Sequence, residues 1–279
     1  MNAVRFADAA AFLAHAGPWL LHAEVENNVI HSIASSIAEG LLVPKQVPYF
    51  AAVVEADEVV ACALRTPPHK LLISSGPDAA VLALAQDVFA LAPDLPAMGG
   101  PEPAAGVFAA AWSKMARCPA RVSGRRRLYA TRAVARDLPH VAGVLRHAEL
   151  HERPLAVEWA NAFALEAMPN EHFDREEAID QALRMNALYF WDDAGAVSMV
   201  AARGTTSNSV RVGSVYTPKN ARRRGYATAA VAALTGRLLA RRIGWCCLYT
   251  DLANPTSNSI YQRIGYRPVR DFNDYLFAP

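Results

Sequence analysis

Apolar and polar positions alternate along two separate stretches of the chain, and in each the alternation is broken early by an acidic turn. "YFAAVVEADEVVACALRTPPHKLLISSG" begins at Tyr49, and "YFWDDAGAVSMVAARGTTSNSVRVGSVY" begins at Tyr189. Both predict strand, turn, strand, short loop, strand, because runs of Val, Ala and aromatic residues bounded by Asp, Gly, Pro or Asn read as strands. After the third strand the period lengthens. Val81, Leu84, Val88 and Leu91 in the first stretch, and Ala227, Val231, Leu234 and Leu238 in the second, follow helical spacing, the former behind a Pro77-Asp78 start. A short apolar strand comes next ("LPAMGG" near 95, "WCCLYTD" from 245), then another helix, "PEPAAGVFAAAWSKM" or "NPTSNSIYQRIGY". One order of elements written twice predicts a tandem duplication of a mixed α/β unit.

The pattern breaks between Cys118 and Arg127, where Pro119, Gly124 and the basic set Arg121, Arg125, Arg126 and Arg127 interrupt it. Domains are therefore expected at 1–122 and 127–279, which suits a chain of 279 residues. "RRLYATRAV" is expected to open the second domain as its first strand. A helical stretch from about Leu138 to Met168, broken at Pro154, is expected to follow and to wall a substrate pocket.

Composition narrows the function. A hydrophobic fraction of 53% with 19% charged residues supplies real cores and excludes a disordered tail protein. A net charge of +2 excludes wholesale coating of nucleic acid, so any basic site must be local. Cys62, Cys118, Cys246 and Cys247 have no CxxC spacing, which suits a reducing compartment and excludes a cysteine zinc site. His172 and the pair His147 and His151 lack a third ligand, so no metal is assigned. Asp8, His15 and Pro18 interrupt the apolar N-terminal run, and no segment approaches a membrane span. The expected setting is cytoplasmic, with neither membrane nor nucleic acid as a partner.

The two halves differ where the third strand meets its helix. The first passes from "LLISSG" to Pro77, whereas the second inserts "VYTPKNARRRGYAT". A helix starting near Gly225 leaves its first N–H groups without intrahelical partners. Gly225, Ala227 and the small residues beyond let an anion approach the backbone, with Tyr226 expected to face outward. Arg222 and Arg224 add paired donors. The turn is either a pyrophosphate cradle or a basic helix start facing solvent, and it carries neither a Walker loop nor a GxGxxG. Downstream, Asn254 caps a helix with Pro255 at its first position and Gly265 at its end. Asn254, Asn258 and Tyr261 fall on one stripe of that helix; Ile260 and Ile264 fall on another that can face the core.

Taken in order, the two motifs resemble the GCN5-related N-acetyltransferase (GNAT) family. "VYTPKNARRRGYAT" looks like that family's pyrophosphate motif, and "NPTSNSIYQRIGY" looks like its closing helix. The resemblance covers about residues 127 to 279. The first half is similar in element order only, with Ala109 about where the tyrosine belongs, and looks like a degenerate copy. The fold implied is two tandem GNAT-like domains, each a twisted mixed sheet flanked by helices. The resemblance implies acetyl-CoA gripped between two splayed parallel strands, one ending in Val215, Tyr216 and Thr217. Its diphosphate would rest on the backbone from Arg223, Arg224 and Gly225 through Tyr226, Ala227 and Thr228, with Arg222 nearby. Asn254 and Asn258 would face the pantetheine arm, and Tyr261 would reach the sulfur.

The implied activity is transfer of acetyl to a primary amine of a small molecule or peptide by direct attack. A phenol suits the departing thiolate as hydrogen-bond or proton donor. The family often carries a basic carboxylate on the strand before the turn, but "SVRVGSVYT" offers none, which leaves Glu158, Glu166 and Asp251, with Glu158 first. Two other functions compete. One is a non-catalytic acyl-CoA-binding module whose first half serves as a homodimer or partner surface; the other is a nucleic-acid binder, which the small net charge opposes.

Overall fold

The strands and helices form where the two periodicities put them. The computed structural model describes residues 1–167 and 174–277, which divide into two units: Met1–Leu128 with the chain's end from Val269, and Tyr129–Pro268.

The first unit runs β1 (Ala3–Arg5), α1 (Ala9–His22), α2 (Glu24–Ala38), β2 (Tyr49–Glu55), β3 (Glu58–Arg65), β4 (Leu71–Ile73), α3 (Asp78–Leu91), β5 (Ala97–Pro101), α4 (Ala104–Ala116) and β6 (Ala120–Thr131). Its strands lie in the order β1-β2-β3-β4-β5, antiparallel except that β4 runs parallel to β5. Side chains alternate across a strand, so the sheet feeds two cores. Phe50, Cys62 and Leu64 meet Phe12, Leu20 and Ile30 on the α1–α2 face. Ala51, Ala63 and Leu71 meet Leu84, Phe108 and Trp112 on the α3–α4 face.

The second unit repeats the order: β7 (Val144–His147), α5 (Arg153–Ala167), α6 (Arg175–Arg184), β8 (Leu188–Asp192), β9 (Ala196–Arg203), β10 (Ser209–Tyr216), α7 (Tyr226–Ala240), β11 (Trp245–Asp251) and α8 (Pro255–Ile264); the last strand, β12 (Arg267–Phe277), starts here and passes into the first unit at Val269. Its strands lie β7-β8-β9-β10-β11, with only β10 and β11 parallel. Val200, Val210 and Val212 face Val231 and Leu234 of α7. Met199, Ala201 and Tyr216 face Trp159 of α5 and Ile179 of α6 on the opposite side.

Three expectations change. "RRLYATRAV" spans the division: its strand is the end of β6, which belongs to the first unit up to Leu128 and enters the second at Tyr129. The first strand of the second order is instead "VLRH", paired antiparallel with β8. Four residues are too few to display a period of two. Pro154 does not break a helix; it stands in the first turn of α5, where its missing N–H has no partner to lose. The division at 122 and 127 gives way to one at Leu128–Tyr129, and β12 from Val269 joins the first unit, pairing antiparallel with β5 from Phe272–Pro101 to Leu276–Ala97. Met168 and His172 lie outside the described residues.

Candidate active site

The parallel pair in the second unit opens. β10 and β11 are in register at Ser209–Trp245, Val210–Cys246 and Arg211–Cys247, and no further. Both strands continue, to Tyr216 and Asp251, without further paired positions between them. A bulge between Gly213 and Tyr216 shifts β10 against β9, and Ser214 takes a positive φ of 50° there. Such a bulge bends one strand and re-aims its backbone groups. Ser198 pins the far end: its Oγ donates to the Tyr216 carbonyl at 3.1 Å and lies 2.9 Å from Thr217 Oγ1. Val215 packs against the α7-side core.

The basic turn follows directly. Gly225 caps α7 with φ 85°, a left-handed conformation that glycine adopts without cost. The first intrahelical bond of α7 runs from Ala229 N–H to the Gly225 carbonyl at 3.0 Å, so the N–H groups of Tyr226, Ala227 and Thr228 have no partner inside the helix. Arg223 and Arg224 are exposed. Arg222 is not the free charge expected. Its Nε donates to the Thr217 carbonyl at 2.8 Å, and its terminal nitrogen reaches Glu166 Oε1 and Oε2 at 3.0 and 2.8 Å. It braces the turn and is half neutralised by α5. Tyr226 is also corrected: it is 7% exposed, and its hydroxyl donates to Asp193 Oδ2 at 2.5 Å. At the first position of α7 the core lies directly beneath it, so only its backbone faces outward.

The closing helix forms as its caps require. Asn254 Oδ1 accepts from Ser257 N–H at 3.0 Å, and Gly265 ends the helix at φ 116°. Asn258 is tied to the backbone at the start of α8. Its Nδ2 donates to the carbonyls of Asp251 and Asn254 at 2.8 and 2.7 Å, and its Oδ1 accepts from Tyr129 at 3.0 Å. The expected division of stripes fails as well. Tyr261 is 9% exposed and shares the α7-side core with Ile264 and Tyr266, whereas Ile260 is only partly buried. That core also holds Val212 and Leu248, the first residues beyond the last paired position. The ring of Tyr261 meets Tyr266 edge-on with centroids 6.2 Å apart. Burial pushes its phenol up to about 12. Tyr266 hydroxyl has Thr235 Oγ1 at 2.7 Å; no such partner is recorded for Tyr261 among the described residues.

The three candidate carboxylates stand in different surroundings. Glu158 is exposed, while Ala156 and Trp159 on the same helix turn inward. Glu166, two turns on, is the one that touches the basic turn. Asp251 orders the entry to α8 through Oδ1, which accepts from Ala253 N–H at 2.9 Å. Among the described residues no group of three His, Cys, Asp or Glu could hold a metal, and no helix is long and apolar enough to cross a membrane.

The first unit lacks this opening. β4 and β5 are paired at Leu71–Met98 and Leu72–Gly99, and a Cβ on Gly100 would stand 2.5 Å from Ile73 Cγ1 and 3.2 Å from its carbonyl. The strands touch where β10 and β11 part. Ala109, 2% exposed, is packed into the core of α4. Sequence reasoning missed Ser198, Ser214 and the role of Glu166. A serine inside the apolar run "AVSMVAA" was the one available signal.

Residues 193–275 match the family model of FR47-like proteins. No curated protein sequence matches the chain. Among solved structures, a GNAT-family acetyltransferase from Colwellia psychrerythraea is similar over 100% of both chains at 10% identity, with a TM-score of 0.59. A tandem GNAT protein from the clavulanic acid biosynthesis pathway covers 98% of this chain and 97% of its own at 14% identity, with a TM-score of 0.58. A GCN5-related N-acetyltransferase from Kribbella flavida covers 88% and 95% at 19% identity, with a TM-score of 0.55.

Proposed function

From the premise that this chain has the GCN5-related N-acetyltransferase fold in tandem, an acyltransferase fold, we propose that its second unit transfers acetyl from acetyl-CoA to a primary amine of a small molecule or peptide. The observation that carries the reading is the parallel ladder that stops after three pairs, next to a helix whose first N–H groups are free. An extended pantetheine arm can add to the unpaired edge of β10 at Val215, Tyr216 and Thr217, as a strand adds to an open sheet edge. The diphosphate suits the start of α7, where the left-handed Gly225 opens the helix and the N–H groups of Tyr226, Ala227 and Thr228 lie beside the charges of Arg223 and Arg224. Asn254 and Asn258 shape the wall of α8 more than they contact the arm, since both are tied to backbone.

The chemistry needs three services from the protein. The neutral amine attacks the thioester carbonyl, forming the C–N bond; the C–S bond then breaks and the thiolate leaves with the electron pair. A backbone N–H at the bulged edge of β10 can donate to the oxyanion. Tyr261 can donate a hydrogen bond to the leaving sulfur. Its phenol, near 12, is a weaker acid than an ordinary thiol of about 8.5, so full proton transfer is uphill and hydrogen bonding is its role. Glu158, exposed on α5, takes the proton of the incoming amine through water. The four cysteines, all free thiols, fit a cytoplasmic setting.

One observation favours a second reading, a non-catalytic acyl-CoA-binding module: β10 carries no carboxylate. The decisive experiment is incubation with acetyl-CoA and a panel of amines while thiol release is followed, beside calorimetric titration with acetyl-CoA. Binding with turnover supports the transferase. Binding without turnover on any amine supports the module, and no binding refutes both.

A further inference from the structure

β9 and β10 set two arginines directly opposite each other. Arg203 and Arg211 are register partners in the antiparallel ladder, and like charges in that relation repel. Arg211 occupies the last paired position before β10 and β11 separate, so the pair stands at the apex of the opening. Alternation along β9 puts Arg203 on the same face as Met199 and Ala201, the side lined by α5 and α6 and opposite α7.

Arg203 is not an ordinary surface charge. It is half-buried, and its one recorded side-chain bond is from Nε to Ser214 Oγ at 3.1 Å, on the bulge. No carboxylate faces it among the described residues; burial first and then Arg211 draw its guanidinium down to about 10. A partly desolvated guanidinium beside a second one, bonded only to a neutral hydroxyl, has an unmet demand for an anion. Space is at hand. Gly213, paired with Ala201 on the same face, would place a Cβ with no atom within 4 Å, so that face of β10 is open between Arg211 and the bulge.

We infer that Arg203, with Arg211 opposite it and open space at Gly213, seats a carboxylate carried by the amine acceptor, so that the acceptors are amino acids or similar amino-carboxylates. A planar guanidinium meets a carboxylate with paired donors, and the anion offsets the repulsion between the two strands. The seat is on β9 and β10, away from the Gly225 turn proposed for the diphosphate. This inference rests on the transferase reading for the word acceptor, but the seat itself can be tested without turnover.

The test has two arms. In the first, glycine, β-alanine and longer amino acids are each compared with their carboxamides in the thiol-release assay. The acids should exceed the amides by about 10²-fold in kcat/KM, the scale on which a site built for one polar group rejects its absence. Arg203→Gln should remove that preference, chiefly through acceptor KM, with acetyl-CoA affinity unchanged; Arg203→Lys should keep part of it. In the second arm, N-acetyl amino acids and their neutral amides are titrated calorimetrically into the protein alone. Binding of the acids should be lost in Arg203→Gln and in Gly213→Leu, which occupies the open space at Gly213 and guards against a variant that simply misfolds. Equal use or binding of acids and amides by the wild type overturns the inference, as does undiminished binding of the acids by folded Arg203→Gln. Displacement by inorganic phosphate, with no response to any carboxylate, overturns the assignment of the anion. If acetyl-CoA does not bind but the N-acetyl acids do, the seat stands and the transferase reading falls.

Discussion

Replacing Tyr261 by phenylalanine separates hydrogen bonding from packing at the leaving group. The ring lies in the core with Ile264 and Tyr266, and phenylalanine preserves that burial. The lost hydroxyl has no recorded protein partner, so stability near neutral pH should stay within about 0.5 kcal/mol, as for changes that break no packing or polar network. Acetyl-CoA affinity should hold as well. The catalytic effect can be sized from acidity. A phenol near 12 facing a thiolate of about 8.5 is mismatched by roughly 3.5 units, or about 5 kcal/mol against full proton transfer. What remains is a hydrogen bond to a developing anion, about 1.5–3 kcal/mol, so kcat should fall by about 10- to 150-fold. Because the bond exists only in the transition state, kcat and kcat/KM should fall together. Stopped-flow thiol release under saturating acetyl-CoA reads this directly. Full kcat in the variant would make Tyr261 a packing residue, and a loss above about 10³-fold would restore it as a general acid.

The same phenol gives a pH signature. Its folded pKa is raised from about 10 to about 12, so its contribution is fully present below pH 10 and is lost as pH rises through 12; wild type should forfeit about 3 kcal/mol more than Tyr261→Phe over that window in urea melts, and parallel pH profiles refute it. Gly225→Val forces a β-branched residue to φ 85° with its Cβ 2.9 Å from Val141 Cγ2, and acetyl-CoA affinity should drop at least about tenfold, or roughly 1.4 kcal/mol; unchanged calorimetric binding by the folded variant removes the cradle. One acetyl-CoA should bind per chain, because β4 and β5 stay in contact at Ile73 and Gly100, and two equivalent sites in a titration contradict this. Glu166→Gln frees Arg222 from its ion pair, so acetyl-CoA should bind several-fold tighter at low ionic strength, with the gain vanishing near about 1 M salt; weaker binding would mean that the brace, not the charge, serves the turn.

Local chemistry determined most of the elements by itself. Alternation placed β2, β3, β8, β9 and β10, and helical spacing placed α3, α4, α7 and α8. Asn254, Gly225 and Gly265 marked helix ends because capping and positive φ are demands that adjacent residues state openly. What the sequence could not state is which backbone edges meet. That β10 and β11 part after Arg211, while Ile73 and Gly100 remain together, depends on pairing between residues far apart in the chain. The destination of β12 is of the same kind, since an eleven-residue strand can complete either sheet. Burial also went by tertiary context. Tyr226 and Tyr261 looked like polar-tipped surface residues, and packing drew both rings into one core. Nothing adjacent in the chain states what will stand beside Arg222 or Arg203. Only the fold brought Glu166 to the first and left the second facing Arg211, because ion pairs form between neighbours in space and not in sequence.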